Sequence, residues 1–119
     1  MRKDIDLGGS TLTLECNAAT PFVVKRLGGF DMLRFLQEID GSSLSADNLE
    51  KIETIIFCMH LQGIKSTREV LNETLDDFPE WLAGYSFDEM TTVIMPEGIG
   101  LWADSKDTTS TSKNQADPQ

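Results

Sequence analysis

Two cysteines, Cys16 and Cys58, are all the thiols in this 119-residue chain, too few for the disulfide framework of a small secreted domain. His60 is the single histidine and there is no Cys-x-x-Cys pair, so the ligand sets of zinc sites are missing. No run approaches the ~18 apolar residues of a membrane span. Arg2-Lys3 are followed by Asp4-Ile5-Asp6-Leu7-Gly8 rather than an apolar stretch, which predicts no signal peptide. The expectation is a reduced, cytoplasmic, soluble protein that does not engage membranes. Lysine and arginine are absent from Glu69 through Asp104, and the whole chain sets 20 acidic against 10 basic residues for a net charge of -10. That charge repels phosphate backbones and argues against nucleic acid as a ligand.

What remains is the composition of one globular domain, 39% hydrophobic and 25% charged. The fold class expected is α+β, mainly α: an N-terminal β-hairpin, about five helices and a disordered C-terminal tail. Ile5 and Leu7, then Leu12 and Leu14, alternate with polar residues around Gly8-Gly9-Ser10, the pattern of a hairpin over 4–15. Thr20-Pro21 reads as a helix start with Thr20 as the cap. Gly28-Gly29 then separates two short helices, since two interior glycines cost roughly 2 kcal/mol. Phe30, Leu33, Leu36 and Ile39 form the apolar stripe of the second helix, with Asp31 in its first turn.

Asp40-Gly41-Ser42-Ser43 is a turn, and Ser45 caps a long central helix to about Gln62, closed by Gly63 in a left-handed conformation. Ser66-Thr67-Arg68-Glu69 and Ser86-Phe87-Asp88-Glu89 are capping-box patterns. A short helical turn at Pro79–Leu82 lies between them, and Pro96 stops the last helix. Residues 1–103 make the domain, with helices from 21 to 95. Residues 104–119 are too polar to offset the entropy of ordering and form a tail.

Catalytic apparatus is not visible. Cys58 and His60 stand two apart, on different faces of a helix; Cys58 reads as core and His60 as a boundary residue. Asp76-Asp77 lacks a calcium loop's alternating ligands. Gly98-Ile99-Gly100 lacks the strand and helix of a dinucleotide fingerprint. No catalytic, cofactor-binding or metal-ligating residue is assigned, and the chain reads as a non-enzyme. Charge segregation is the stronger signal: Lys25, Arg26 and Arg34 cluster near the glycines, while Asp76, Asp77 and Glu80 lie in the acidic third. Three readings stay open: a solvated acidic face, oppositely charged surfaces on different sides that guide association with a partner or second copy, and nucleic-acid mimicry. Trp102, reached through Pro96, Gly98 and Gly100, is the aromatic expected outside the core, whereas Trp81 is expected inside it.

The order of parts resembles a family, the small tail assembly chaperones of long-tailed bacteriophages and prophages. The resemblance rests on the hairpin from Ile5 to Leu14, on Asn17-Ala18-Ala19-Thr20-Pro21, on the hydrophobic-basic helix Phe22 to Arg26, and on Gly29-Phe30-Asp31-Met32-Leu33. It covers roughly residues 4 to 40 well and departs from the commoner pattern at Phe22-Val23-Val24. It implies a protein of the host cytoplasm, absent from the mature virion, that coats the tape measure protein and recruits tail tube subunits. It also implies a longer product made by frameshifting, with which Ser112-Lys113-Asn114 is compatible. Within this reading, Lys25, Arg26 and Arg34 meeting Asp76, Asp77 and Glu80 offer a head-to-tail homo-oligomer contact. The alternative is an acidic, nucleic-acid-mimicking inhibitor or another small helical interaction module.

Overall fold

The computed structural model describes residues 1–39 and 45–116, with side chains described as far as Ser105. The turn expected at Asp40-Gly41-Ser42-Ser43 lies outside these residues. Strands β1 (Arg2–Asp6) and β2 (Thr11–Glu15) pair antiparallel, with Lys3 opposite Leu14 and Ile5 opposite Leu12. The hairpin closes through Gly8 at φ 89°, a backbone angle that favours glycine. Leu7 N–H donates to the Ser10 carbonyl at 2.9 Å across that turn.

Among the described residues seven α-helices follow: α1 (Thr20–Gly28), α2 (Met32–Glu38), α3 (Ala46–Ile64), α4 (Thr67–Leu71), α5 (Phe78–Leu82), α6 (Phe87–Glu89) and α7 (Met95–Ala116). Ser45 caps α3, Ser66 and Glu69 form a reciprocal capping box on α4, and Ser86 caps α6. Helix α3 is the centre of the molecule. Every residue from Ile52 to Met59 is buried, which marks a helix covered on all sides. The hairpin lays Ile5, Leu12 and Leu14 into the same core that receives Val23 and Val24 from α1 and Ile94 and Leu101 from the C-terminal helices.

Several local expectations are corrected by tertiary packing. Pro96 does not end a helix. The residues before it, Met90–Ile94, form a π-helical turn in which Met95 N–H bonds back to the Met90 carbonyl. This widened turn accommodates a residue that lacks an N–H, and the chain continues into α7. Gly63 is inside α3 rather than a left-handed cap; Lys65, extended, ends the helix. A Cβ at position 63 would stand 2.9 Å from the Thr13 carbonyl oxygen, so this glycine permits close approach to the hairpin. Gly98 does the same on α7, where a Cβ would overlap Ile56.

Thr20 opens α1 but does not cap it; Ala19 holds that position without a side-chain bond. Leu33 is 46% exposed, and Met32 and Phe35 supply the buried face of α2 instead. Helix α7 runs through Ala116, and buried Ser105 reaches the Cys16 thiol.

Candidate functional site

The segment Asn17-Ala18-Ala19-Thr20-Pro21 forms a hydrogen-bonded knot. Asn17 N–H donates to Thr20 Oγ1 at 3.0 Å, and Ala19 N–H donates to Asn17 Oδ1 at 2.8 Å. The buried Thr20 hydroxyl donates to Gln62 Oε1 at 2.9 Å, and Gln62 Nε2 returns to Asn17 Oδ1 at 3.4 Å. Both polar side chains are thereby satisfied away from water, as burial requires. The knot ties the hairpin exit and the start of α1 to the last turns of α3, fixing which face of α1 points outward.

That outward face is specific. Thr20, Val23 and Val24 are buried, while Phe22, Lys25 and Arg26 lie on the opposite side at helical spacing. Phe22 is 55% exposed, an aromatic ring beside two cations. Among the described residues, neither Lys25 nor Arg26 makes an ion pair. Both also stand in the last turn of α1, where positive charge suits the helix dipole. On α2, exposed Leu33 adjoins Arg34, which pairs with Glu38 at 3.4 Å.

A cleft of about 450 Å³ opens behind this surface, lined by Gly28, Gly29, Phe30, Lys51, Thr54 and Leu75 among others. Gly29 turns the chain there at φ 77°. Asp31 caps α2 by accepting from Arg34 N–H at 3.2 Å. The Lys51 ammonium lies 5.7 Å from the Phe30 ring centre and 5.4 Å from that of Phe35, within cation–π range. The glycines follow the basic pair in sequence and Leu75 precedes Asp76-Asp77, so one cleft receives the neighbours of both charged sets.

Asp76, Asp77 and Glu80 are exposed at the start of α5, without ion pairs among the described residues. Trp102 is not the outlying aromatic expected. It is half-buried on the core, because Gly98 lets α7 pack close to α3 rather than loosening it. Phe87, 69% exposed at the start of α6, is the most exposed large apolar side chain among the described residues. Sequence reasoning passed over Phe22 and Lys51. Phe22 had a readable signal, since it falls out of phase with Val23 and Val24 once Pro21 sets the helix register. Lys51 had none, because its neighbours Phe30 and Phe35 come from the turn before α2 and from α2 itself.

The aromatic cluster on the other side of α3 is structural. His60 stacks on Trp81 at 5.6 Å and 23°, and Phe57 and Phe78 pack beside them. Burial pushes the His60 pKa down, with the Thr13 carbonyl acting the other way. Trp81 packs against the core, as read from the sequence. Burial also pushes the Cys58 thiol up to about 12, which leaves it protonated and inert. Among the described residues, no group of three His, Cys, Asp or Glu side chains could hold a metal ion, and no helix is long and apolar enough to cross a membrane. No protein-family model, curated protein or solved structure matches the chain.

Proposed function

We propose that this protein is a non-enzymatic tail assembly chaperone of a long-tailed phage or prophage, binding an amphipathic helix of the tape measure protein and recruiting tail tube subunits. It acts in the cytoplasm of the bacterial host and leaves before the virion is complete. One observation carries the reading. The Asn17–Pro21 segment on which the resemblance rests is a hydrogen-bond knot around buried Thr20, and it presents Phe22, Lys25 and Arg26 together on the outside of α1. An exposed ring flanked by unpaired cations suits a partner helix with an apolar stripe and acidic flanks. Low affinity per copy suffices where many copies line one long partner.

The test is size-exclusion chromatography with light scattering, alone and with a soluble tape measure fragment, at low and high salt. Co-elution is expected at low salt, weakened about tenfold by Phe22→Ser, the scale of losing an aromatic anchor. A chain that ignores the fragment under all conditions overturns the reading. Capture of a DNA-binding protein in its place would install the acidic-inhibitor alternative.

A further inference from the structure

Strand β1 leaves one side of its backbone unused. Met1 and Cys16 exchange both main-chain hydrogen bonds, at 2.7 and 2.8 Å. Antiparallel pairs alternate from there, so Lys3 and Ile5 turn their N–H and C=O groups toward β2. Arg2, Asp4 and Asp6 therefore direct theirs away from it. The far edge of the hairpin is covered, because Gly63 brings α3 against the Thr13 carbonyl. Helix α7 meets β1 on the face of Lys3 and Ile5, where Lys3 pairs with Glu97, but among the described residues no element bonds to the main chain of the β1 edge. Four of its five residues are exposed, and no main-chain bond is made there by Arg2, Asp4 or Asp6.

Charges on an open edge commonly keep strands apart. These charges are ordered, with Arg2 and Lys3 at one end and Asp4 and Asp6 at the other. A sequence positive at its start and negative at its finish complements itself when reversed. We propose that β1 pairs antiparallel with β1 of a second copy about a two-fold axis at Asp4, joining two hairpins into one four-stranded sheet. Arg2, which within its own chain pairs with Glu15 at 3.4 Å and donates to the Gly63 carbonyl at 3.0 Å, then also meets the partner's Asp6 on the solvent side, and Asp6 meets the partner's Arg2. Facing opposite charges favour the pairing, and the two Asp4 carboxylates at the axis oppose it. An isolated two-stranded sheet is marginal, whereas four strands are self-supporting. The contact is isologous and closes as a dimer.

The proposal concerns the chain alone and does not depend on tape measure binding. The experiment is sedimentation equilibrium of the full chain across a hundredfold concentration range, with circular dichroism as the fold control. A monomer–dimer equilibrium is expected for the native sequence. Asp4→Pro removes an N–H that the hairpin ladder does not use, so it should stay folded and become monomeric. Asp4→Thr removes the axial repulsion and should lower the dissociation constant roughly threefold. Asp6→Arg should weaken the dimer, and combining it with Arg2→Asp should restore it, a comparison that holds even if the proline variant unfolds. A native chain that stays monomeric, a folded Asp4→Pro that still dimerises, or a charge swap that fails to restore pairing would each overturn the proposal.

Discussion

Three glycines of similar appearance in the sequence carry different consequences. Alanine is the better helix former by about 1 kcal/mol, so any helical glycine looks like a weakness. At Gly63 and Gly98 a Cβ meets the Thr13 carbonyl and Ile56, and Gly63→Ala or Gly98→Ala should each lose about 1–3 kcal/mol through overpacking. Gly100 has nothing within 4 Å of an added Cβ, and Gly100→Ala should gain up to about 1 kcal/mol. Urea unfolding of the three variants checks the opposite signs. Two titrating residues also pull in opposite directions. Burial lowers the His60 pKa below its ordinary 6.5, so the unfolded chain binds that proton more readily and stability falls as pH drops below this value. His60→Leu should flatten that acid-side loss in thermal melts. Burial, then the Glu50 charge, raise the Glu53 pKa. Its ionised form therefore costs stability above the folded pKa and costs less as pH falls through it, and Glu53→Gln should be more stable at pH 7.

At the level of elements, the joint between hairpin, α1 and α3 is the place to test cooperation. Thr20→Val strands the Gln62 amide and the Asn17 N–H in a buried site, and should cost about 1–3 kcal/mol. Gln62→Leu in the same chain should recover part of the loss, so that a double-mutant cycle reads a coupling above ~0.5 kcal/mol. The elements legible in sequence were those with local causes. The hairpin follows from alternation around Gly8, the two-helix break from Gly28-Gly29, and the starts of α3, α4 and α6 from serines whose side chains reach the backbone three residues on. The misread positions answer to distant atoms. Gly63 answers to Thr13, Gly98 to Ile56 and Thr20 to Gln62, and no local propensity contains those partners. Of the candidate surface, the cations on α1 were legible, but the exposure of Phe22 and the approach of Leu75 to the glycine turn depended on how helices pack.

For the whole molecule, the useful distinction is between charges that hold the fold and charges free to meet a partner. Arg34 already serves Glu38, and Lys3 serves Glu97. Lys25 and Arg26 serve no carboxylate among the described residues. Arg26→Glu should therefore cost no more than about 1 kcal/mol, the scale of a charge at a helix end. It should weaken capture of an acidic tape measure fragment, and more so at low salt, where exposed charges are least screened. Chemical unfolding and fragment titration on the same preparation separate the two effects.

The wide turn over Met90–Ile94 sets a phase. An α-helix rotates about 100° per residue, and this segment holds one residue more than a regular turn would accommodate. The wide turn absorbs that residue, so Gly98 and Leu101 keep the phase of a regular helix one residue shorter. Deleting Thr92 would restore ordinary winding and still leave Gly98 facing Ile56 and Leu101 facing the core, while pressing Pro96 against the carbonyl four residues before it. A residue deleted from the regular helix between Gly98 and Leu101 has no such slack, and would turn everything after it by about 100°. In the history of such a sequence, length between Ser86 and Pro96 is freer to drift than length beyond Gly98.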